Sequence, residues 1–215
     1  MAADSKYAGV GRAFPALKVA MPRAIAIALL LFAAFLPKPA AAEPRTYKLD
    51  REHVTVGFLV EHSGFARILG VFRQVEGAVV FDEAVPALHS IEVKVATSSV
   101  DTGHAARDNH LRSADFFDSR NHPDMMFTFV SARQTGERTA VVTGNLTLRG
   151  QTHPVDLDVT WNKAGNYTFG DRHYSLGISA RGTLRRQHWG MTYGVADGMV
   201  GDDVQILIEA ELIRQ

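Results

Sequence analysis

The chain contains no cysteine, which excludes disulfide bonds, thiolate metal sites, a cysteine nucleophile and a lipid-modified N-terminal cysteine. It also lacks an apolar run long enough to span a membrane. The run at residues 24–36 would reach only about 20 Å as a helix, against a hydrocarbon core of roughly 30 Å. The residues after Ala42 carry 18 basic and 22 acidic side chains. No basic field is therefore present to hold nucleic acid.

Recognisable catalytic motifs are missing as well. The sequence has no G-x-S-x-G element, no phosphate-cradling glycine loop and no H-E-x-x-H motif. Its nine histidines show neither H-x-H nor i, i+4 spacing, so no metal site is predicted. Asp156 and Asp158 share a strand face, but the alternation of apolar residues turns that face outward. We therefore expect a protein that is not an enzyme and that has no cofactor.

The first 42 residues differ in composition from the rest of the chain. Their apolar run follows Arg23 and precedes three alanines that end at Ala42, the small residues that a signal peptidase requires. This pattern predicts a secretory signal over residues 1–42 and an exported, soluble mature chain. The segment before Met21 is unusually long for a signal, and we expect Met21 to be the true start.

N-terminal sequencing of the exported protein tests this interpretation. We expect the mature chain to begin at Glu43, since cleavage follows the small residues at the end of the signal. A first residue far from Glu43 would contradict it.

From Glu43 onward, short segments alternate apolar and polar residues, which is typical of half-buried strands. In residues 53–62, for example, Val54, Val56 and Phe58 fall on one face. Turn signals such as those at residues 134–137 separate the segments.

Eight such strands with one helical interruption predict an all-β fold, an eight-stranded antiparallel barrel. Closure of the barrel leaves no exposed edge strand. The barrel accounts for residues 43–215 as a single domain. The alternation is disturbed at Gly77, which predicts a bulge there.

The helical interruption lies at about residues 102–119. Thr102 is a candidate N-cap for a short helix, and Ser113 for a second turn. Leu111 and Phe116 give this otherwise charged insert an apolar edge. We expect the insert to cap one end of the barrel.

Motifs along the whole mature chain resemble those of the YceI-like family. They include Asp50 with His53, TGHAARDNHLRSADFFD from Thr102, GNLTLRGQTHPVDL from Gly144 and VGDDVQILIEAEL from Val200. The resemblance implies a periplasmic, lipocalin-like barrel that holds a long apolar chain. Polyisoprenoid lipids and fatty amides are the ligands it implies, with isoprenoid quinones as a related candidate.

Inward strand positions and the insert supply the candidate residues for such a site. The tail-binding candidates are Phe58, Val60, Phe72, Ile91, Val93, Leu111, Phe116, Phe127, Phe129, Leu146, Leu157 and Trp189. The headgroup candidates are His62, Arg107, Asp108 and Arg112. The alternative for the first set is a dry, filled core, and for the second a structural histidine and a solvated ion-pair face.

The function predicted is periplasmic binding, carriage or sequestration of a long-chain amphipathic lipid. Two other functions stay open. A lipid-modifying enzyme would need convergent polar groups inside the barrel, and a ligand-free accessory module docking on a membrane redox partner would have a filled interior. A transient membrane contact and a homodimer also stay open, and no nucleic-acid partner is expected.

Overall fold

The computed structural model describes residues 43–215, and the predicted signal sequence lies outside these residues. The strands are β1 (Arg45–His62), β2 (Ala66–Phe72), β3 (Val75–Asp82), β4 (Ala87–Ala96), β5 (Val100–Asp101), β6 (Asp124–Gln134), β7 (Thr139–Leu148), β8 (Gln151–Asn166), β9 (Tyr174–Arg185) and β10 (Val200–Arg214). The α-helix is α1 (Ala105–Arg112), and short 3₁₀ helices lie at Thr97–Ser99 and Arg186–Trp189. Between residues 43 and 215, no helix has both the length and the apolar character needed to cross a membrane.

The strands close into an antiparallel barrel. One edge of β1 pairs with β10 along most of its length, and its other edge pairs first with β3 and then with β2. The circuit runs β1, β3, β4, β6, β7, β8, β9 and β10, while β2 and β5 extend the wall at one end. The predicted eight-stranded barrel with one short helix is confirmed. Eight strands enclose an interior that side chains can just fill, or that can hold one small ligand.

The two ends of the barrel differ in construction. At the end that we call the cap end, β1 finishes at His62 opposite Val200 of β10, and α1 and the second 3₁₀ helix lie beside it. The opposite end, called the far end, carries the β3–β4 and β6–β7 turns at residues 83–86 and 135–138.

The helical insert follows the predicted plan with one difference at its start. His104 and not Thr102 is the N-cap, since the His104 side chain accepts the N–H three residues on. Thr102 instead donates from its backbone N and its Oγ1 to Asp108, at 2.9 and 2.5 Å. The second turn is present, with the Phe116 N–H donating to the Ser113 carbonyl at 3.1 Å.

The bulge predicted at Gly77 is in a different place. Gly77 pairs regularly with Val93, and the register shift lies between Val80 and Phe81, where β4 has one extra residue, His89. A Cβ at Gly77 would overlap the carbonyl oxygen of the residue before Val93. The glycine is therefore explained by the close approach of two strands and not by a bulge.

The most buried side chains form two clusters. The larger lies toward the cap end and includes Trp189 and Val100, and the smaller lies toward the far end around Tyr47 and Leu212. The Tyr47 hydroxyl donates to Glu83. Burial and this hydrogen bond raise the pKa of Tyr47 well above its usual value. The phenol therefore stays neutral and fixes the β3–β4 turn to β1.

Asp82 organises the same turn from its first position. Its carboxylate is 1% exposed and accepts from the backbone N–H groups of Glu43 at 2.7 Å, Ala84 at 2.8 Å and Val85 at 3.2 Å. Burial alone would raise the pKa of Asp82, but the three donors outweigh it and lower the pKa below its ordinary 3.8. The charged form is therefore the one that the fold stabilises.

Replacing Asp82 by Asn should lower the melting temperature by about 3–6 °C at pH 7, because one of the paired acceptors becomes a donor. A depressed pKa contributes stability above the unfolded pKa, and the contribution is lost as the pH falls through the folded one. The gap between wild type and D82N should therefore narrow below about pH 4. Thermal melts from pH 7 to pH 3 measure it.

Asp158→Asn is the matched control, since Asp158 is an exposed strand residue. We expect it to change the melting temperature by less than about 1 °C at every pH. A gap for D82N that is equally large at pH 7 and pH 3 would contradict the role given to the carboxylate charge.

Candidate functional site

A cavity of about 910 Å³ occupies the interior of the barrel between the cap end and the far end. Small-molecule sites typically span roughly 300–1,000 Å³, so this cavity lies at the upper end of that range. Side chains from all eight wall strands contribute to its lining, and those in its middle are aliphatic or aromatic. The interior is therefore a hollow and not a filled core.

The wall opens on one side toward the far end. Pairing between β4 and β6 runs only from Glu92 opposite Thr128 to Ala96 opposite Asp124. Beyond that point the two strands part, and the exposed Val130 lines the cavity. At the cap end the exposed Met199 does the same. The cavity thus reaches the surface in both directions.

Most of the predicted tail-binding residues lie where the sequence placed them. Those that line the cavity are Phe58, Val60, Phe72, Ile91, Val93, Leu111, Phe116, Phe127, Phe129, Leu146 and Leu157. Trp189 is not among the lining residues. It is 1% exposed, and its indole N–H donates to the Leu146 carbonyl at 3.1 Å, so it packs within the wall. Contact with a ligand stays a prediction for the other eleven.

Two phenylalanine–glycine pairs keep large side chains out of the middle of the cavity. A Cβ added at Gly70 would overlap the ring of Phe58, and one added at Gly144 would overlap the ring of Phe127. Each ring therefore lies flat over a strand that has no side chain at that point. The lumen stays open because the rings follow the wall and do not cross it.

The charged groups of the lining are confined to its two ends. Within residues 43–215, the cap end contributes Glu61, Arg107 and Arg186 to the lining, and the far end contributes Glu137 and Arg138. Histidine and tyrosine side chains of the lining also lie at the cap end. The apolar middle brings no titratable groups together for acid–base chemistry.

The face that α1 turns toward the cavity follows from helical spacing. Arg107, His110 and Leu111 lie three or four residues apart, share one face and line the cavity. The His110 ring lies between Phe116 and Tyr193, at centroid distances of 5.0 and 4.7 Å. The predicted headgroup candidate Arg107 is thus placed at the cavity, as is His62 at the end of β1.

The other two headgroup candidates face away from the cavity. Asp108 accepts two hydrogen bonds from Thr102, and Arg112 donates to the carbonyls of Ser98 at 2.7 Å and Val100 at 2.8 Å. These contacts fasten α1 to the connection that follows β4. The geometry does not support a headgroup role for Asp108 or Arg112, because neither side chain lines the cavity.

One residue of the cap end, Arg186, is not among the site candidates drawn from the sequence. Arg186 is 3% exposed, and its guanidinium donates to the carbonyls of Gly201, Met191, Tyr193 and Val200 at 2.7–2.8 Å. Alternation could not find it, because it follows the last residue of β9 and begins a 3₁₀ helix. The only available signal was its position in the basic, aromatic stretch RRQHW.

A group of metal-ligand types lies away from the cavity. Atoms of Asp50, His53 and Glu211 come within 4.8 Å of one another at the irregular part of β1. Asp50 accepts from the Glu52 N–H at 2.9 Å and pairs with His53 at 2.7 Å. The hydrogen bond that the His53 ring donates to the Asp50 carboxylate raises the pKa of His53, which disfavours the neutral imidazole that a metal needs. We interpret the group as a hydrogen-bonded bend of β1.

Comparison with known proteins finds relatives over nearly the whole barrel. The model of the YceI-like domain matches residues 47–212. The protein YceI of Escherichia coli O157:H7 is 34% identical over 188 residues, which cover 86% of this chain and 96% of that protein. Both matches span nearly all of the barrel.

Solved structures agree on the fold. A YceI protein of Campylobacter jejuni matches with a TM-score of 0.66 at 26% identity, covering 72% of this chain and 90% of its own. A polyisoprenoid binding domain from Saccharophagus degradans matches with a TM-score of 0.59 at 14% identity, covering 79% of this chain and 98% of its own. At that identity, the second likeness concerns the fold alone.

Gly144→Ala tests the arrangement that keeps the lumen open. The new methyl group should turn the Phe127 ring into the cavity and displace about two ligand carbons, weakening the binding of a long apolar probe by about tenfold. Replacing Phe127 by the smaller leucine in the same variant, G144A/F127L, should restore most of the affinity. Fluorescence titration with 1-N-phenylnaphthylamine measures both variants.

Gly177→Ala is the matched control on β9, because a Cβ there meets its nearest atom at 3.8 Å, an ordinary contact. We expect it to leave probe affinity unchanged. Equal probe affinities of G144A and G177A would contradict the role given to the phenylalanine–glycine pairs. A loss of probe affinity in G144A that F127L does not relieve would contradict it as well.

Proposed function

The chain belongs to the YceI-like domain family, as its motifs predicted, and we propose that it binds the tail of a long-chain amphipathic lipid inside its barrel. The single observation that carries the proposal is the hollow, apolar interior of about 910 Å³. A cavity lined by hydrocarbon side chains offers water few hydrogen-bond partners. An apolar chain is the occupant that such a surface favours.

The size of the cavity suits a long tail. An engineered apolar cavity of about 150 Å³ accommodates benzene, or about 25 Å³ per carbon atom. On this scale, the interior of the barrel has room for on the order of 35 carbon atoms. This capacity falls within the range of polyisoprenoids and isoprenoid quinones, and exceeds that of an ordinary fatty chain.

The energetics favour the same class of ligand. Burial contributes about 0.8 kcal/mol for each methylene, so a tail of about twenty carbons would gain about 16 kcal/mol gross. Association costs roughly 4–15 kcal/mol. A short tail would therefore be lost to solvent, whereas a tail that follows the whole cavity would be retained.

The proposed ligand is a polyisoprenoid, an isoprenoid quinone or a fatty amide, and the proposed role is its carriage or sequestration in the periplasm. The periplasmic setting rests on the export signal predicted over residues 1–42. The name of the Saccharophagus degradans protein, a polyisoprenoid binding domain, supports the ligand class in a protein of the same fold.

Binding without catalysis fits the interior better than the two other functions considered. An enzyme acting on the tail would need polar groups beside it, and the charged lining residues lie at the two ends. A ligand-free accessory module would have a filled interior. The cavity favours carriage over both.

Lipid analysis of the exported protein, purified without detergent, tests the proposal. Native mass spectrometry should show about one lipid per chain, and solvent extraction should release a species with an apolar tail. After delipidation, C20 to C50 isoprenoids or fatty amides should raise the melting temperature, because they bind only the folded state. Absence of bound lipid together with absence of any thermal shift would contradict the proposal.

A further inference from the structure

The cap end of the cavity has an excess of positive charge. In the lining, Arg107 and Arg186 face a single carboxylate there, Glu61, whereas at the far end Glu137 and Arg138 balance each other. The two ends of the lumen therefore offer different surroundings to the two ends of an elongated ligand.

Arg186 is the less usual of the two cap-end cations. Its guanidinium is buried and lies 5.6 Å from the centre of the Phe116 ring. Within residues 43–215, no carboxylate lies within ion-pair distance of it. Burial lowers its pKa, and the more distant Asp202 opposes that shift. A buried cation without an anionic partner is unfavourable unless a partner arrives from elsewhere.

The carbonyl contacts satisfy most hydrogen-bond donors of Arg186 but do not neutralise its charge. Four of its five N–H groups donate to backbone oxygens. These oxygens orient the guanidinium at the lumen and join β9, β10 and the loop between them. The net positive charge remains, and the low dielectric of the apolar lumen extends its effect.

Arg107 provides a direct donor at the same end. Its Nε and Nη2 donate to Thr102 at 2.7 and 2.8 Å, which holds the side chain in place. Its Nη1 makes no hydrogen bond with any described residue, and the side chain lines the cavity. The fixed part of the guanidinium thus orients a free N–H pair, the arrangement that suits an oxyanion.

We infer that the cap end is a receptor for an acidic headgroup, a phosphate or carboxylate, with Arg107 as its hydrogen-bond donor and Arg186 as its buried counter-charge. The lipid then lies with its head under α1 and its tail toward the far end. This inference rests on the proposed function and adds the orientation of the lipid and the chemistry of its head.

The test compares lipids that share one tail and differ only in the head. Delipidated protein is titrated with geranylgeraniol, geranylgeranyl monophosphate and inorganic phosphate, with tryptophan fluorescence and thermal shift as readouts. The lipid phosphate should bind at least about tenfold more tightly than the alcohol, because it gains a charge-assisted contact. Inorganic phosphate should give no measurable thermal shift, because it has no tail.

Variants place the head within the cavity. Arg107→Gln should remove most of the preference for phosphate over alcohol, measured as the ratio of the two affinities. Arg120→Gln, on an exposed residue that follows the insert, should leave this preference unchanged. Arg186→Lys keeps the charge and should retain more of the preference than Arg186→Gln. Arg186 variants risk misfolding. The comparison of Arg107→Gln with Arg120→Gln, together with the comparison of the two lipids on the wild type, therefore suffices for the test.

Each outcome has a distinct meaning. Equal affinities for the alcohol and the phosphate would overturn the inference and leave tail binding intact. A preference that survives Arg107→Gln would also overturn it, because the head would then lie elsewhere. A thermal shift with inorganic phosphate as large as that with the lipid would assign the site to a free anion. If no tailed ligand binds, the proposed function fails and this inference with it.

Discussion

The width of a closed eight-stranded barrel is the constraint on which the rest of this protein depends. Strand number and tilt set the diameter, and the interior is then just large enough either for side chains to meet or for a guest. Here the rings of Phe58 and Phe127 do not cross the lumen, whereas at the far end Phe81 and Trp161 pack edge to face with centroids 5.6 Å apart. Phe58 lies over Gly70 and Phe127 over Gly144, so the aromatic surface belongs to the wall. The hollow is a consequence of where glycine stands on neighbouring strands.

The insert completes this container because its charged residues serve two different purposes. Asp108 and Arg112 hold α1 against the connection after β4, while Arg107 and His110 turn to the cavity. A helix of only eight residues would be marginal in isolation. Its hydrogen bonds to the connection hold it in place above the lumen. The position of α1 in turn gives one end of an apolar cavity its polar character.

Much of this architecture could be predicted from the sequence, because the evidence for a strand is local. Alternation identified the inward faces, and eleven of the twelve tail candidates line the cavity. Trp189 differs because it lies in the 3₁₀ helix after β9, where alternation does not apply. The hollow itself could not be predicted from periodicity, since a ring that crosses the lumen and a ring that follows the wall have the same sequence pattern.

Polar positions were harder to predict, because they depend on contacts distant in the chain. In the sequence, Arg107, Asp108 and Arg112 are simply three charged residues of one insert. Only the orientation of α1 shows that Arg107 lines the cavity and the other two do not. Arg186 finds its carbonyl partners across a loop and on β10. Its burial depends on closure of the barrel. The N-cap at His104 was missed for a similar reason, since Thr102 is engaged by Asp108 six residues ahead.

Crystals of the delipidated protein pressurised with xenon would test the hollow interior most directly, since xenon occupies dry apolar cavities and needs no knowledge of the natural ligand. The account predicts several xenon sites in a row from Leu146 toward Phe81, both of which line the cavity. A barrel without internal xenon, in which the phenylalanine rings meet across the axis, would contradict it.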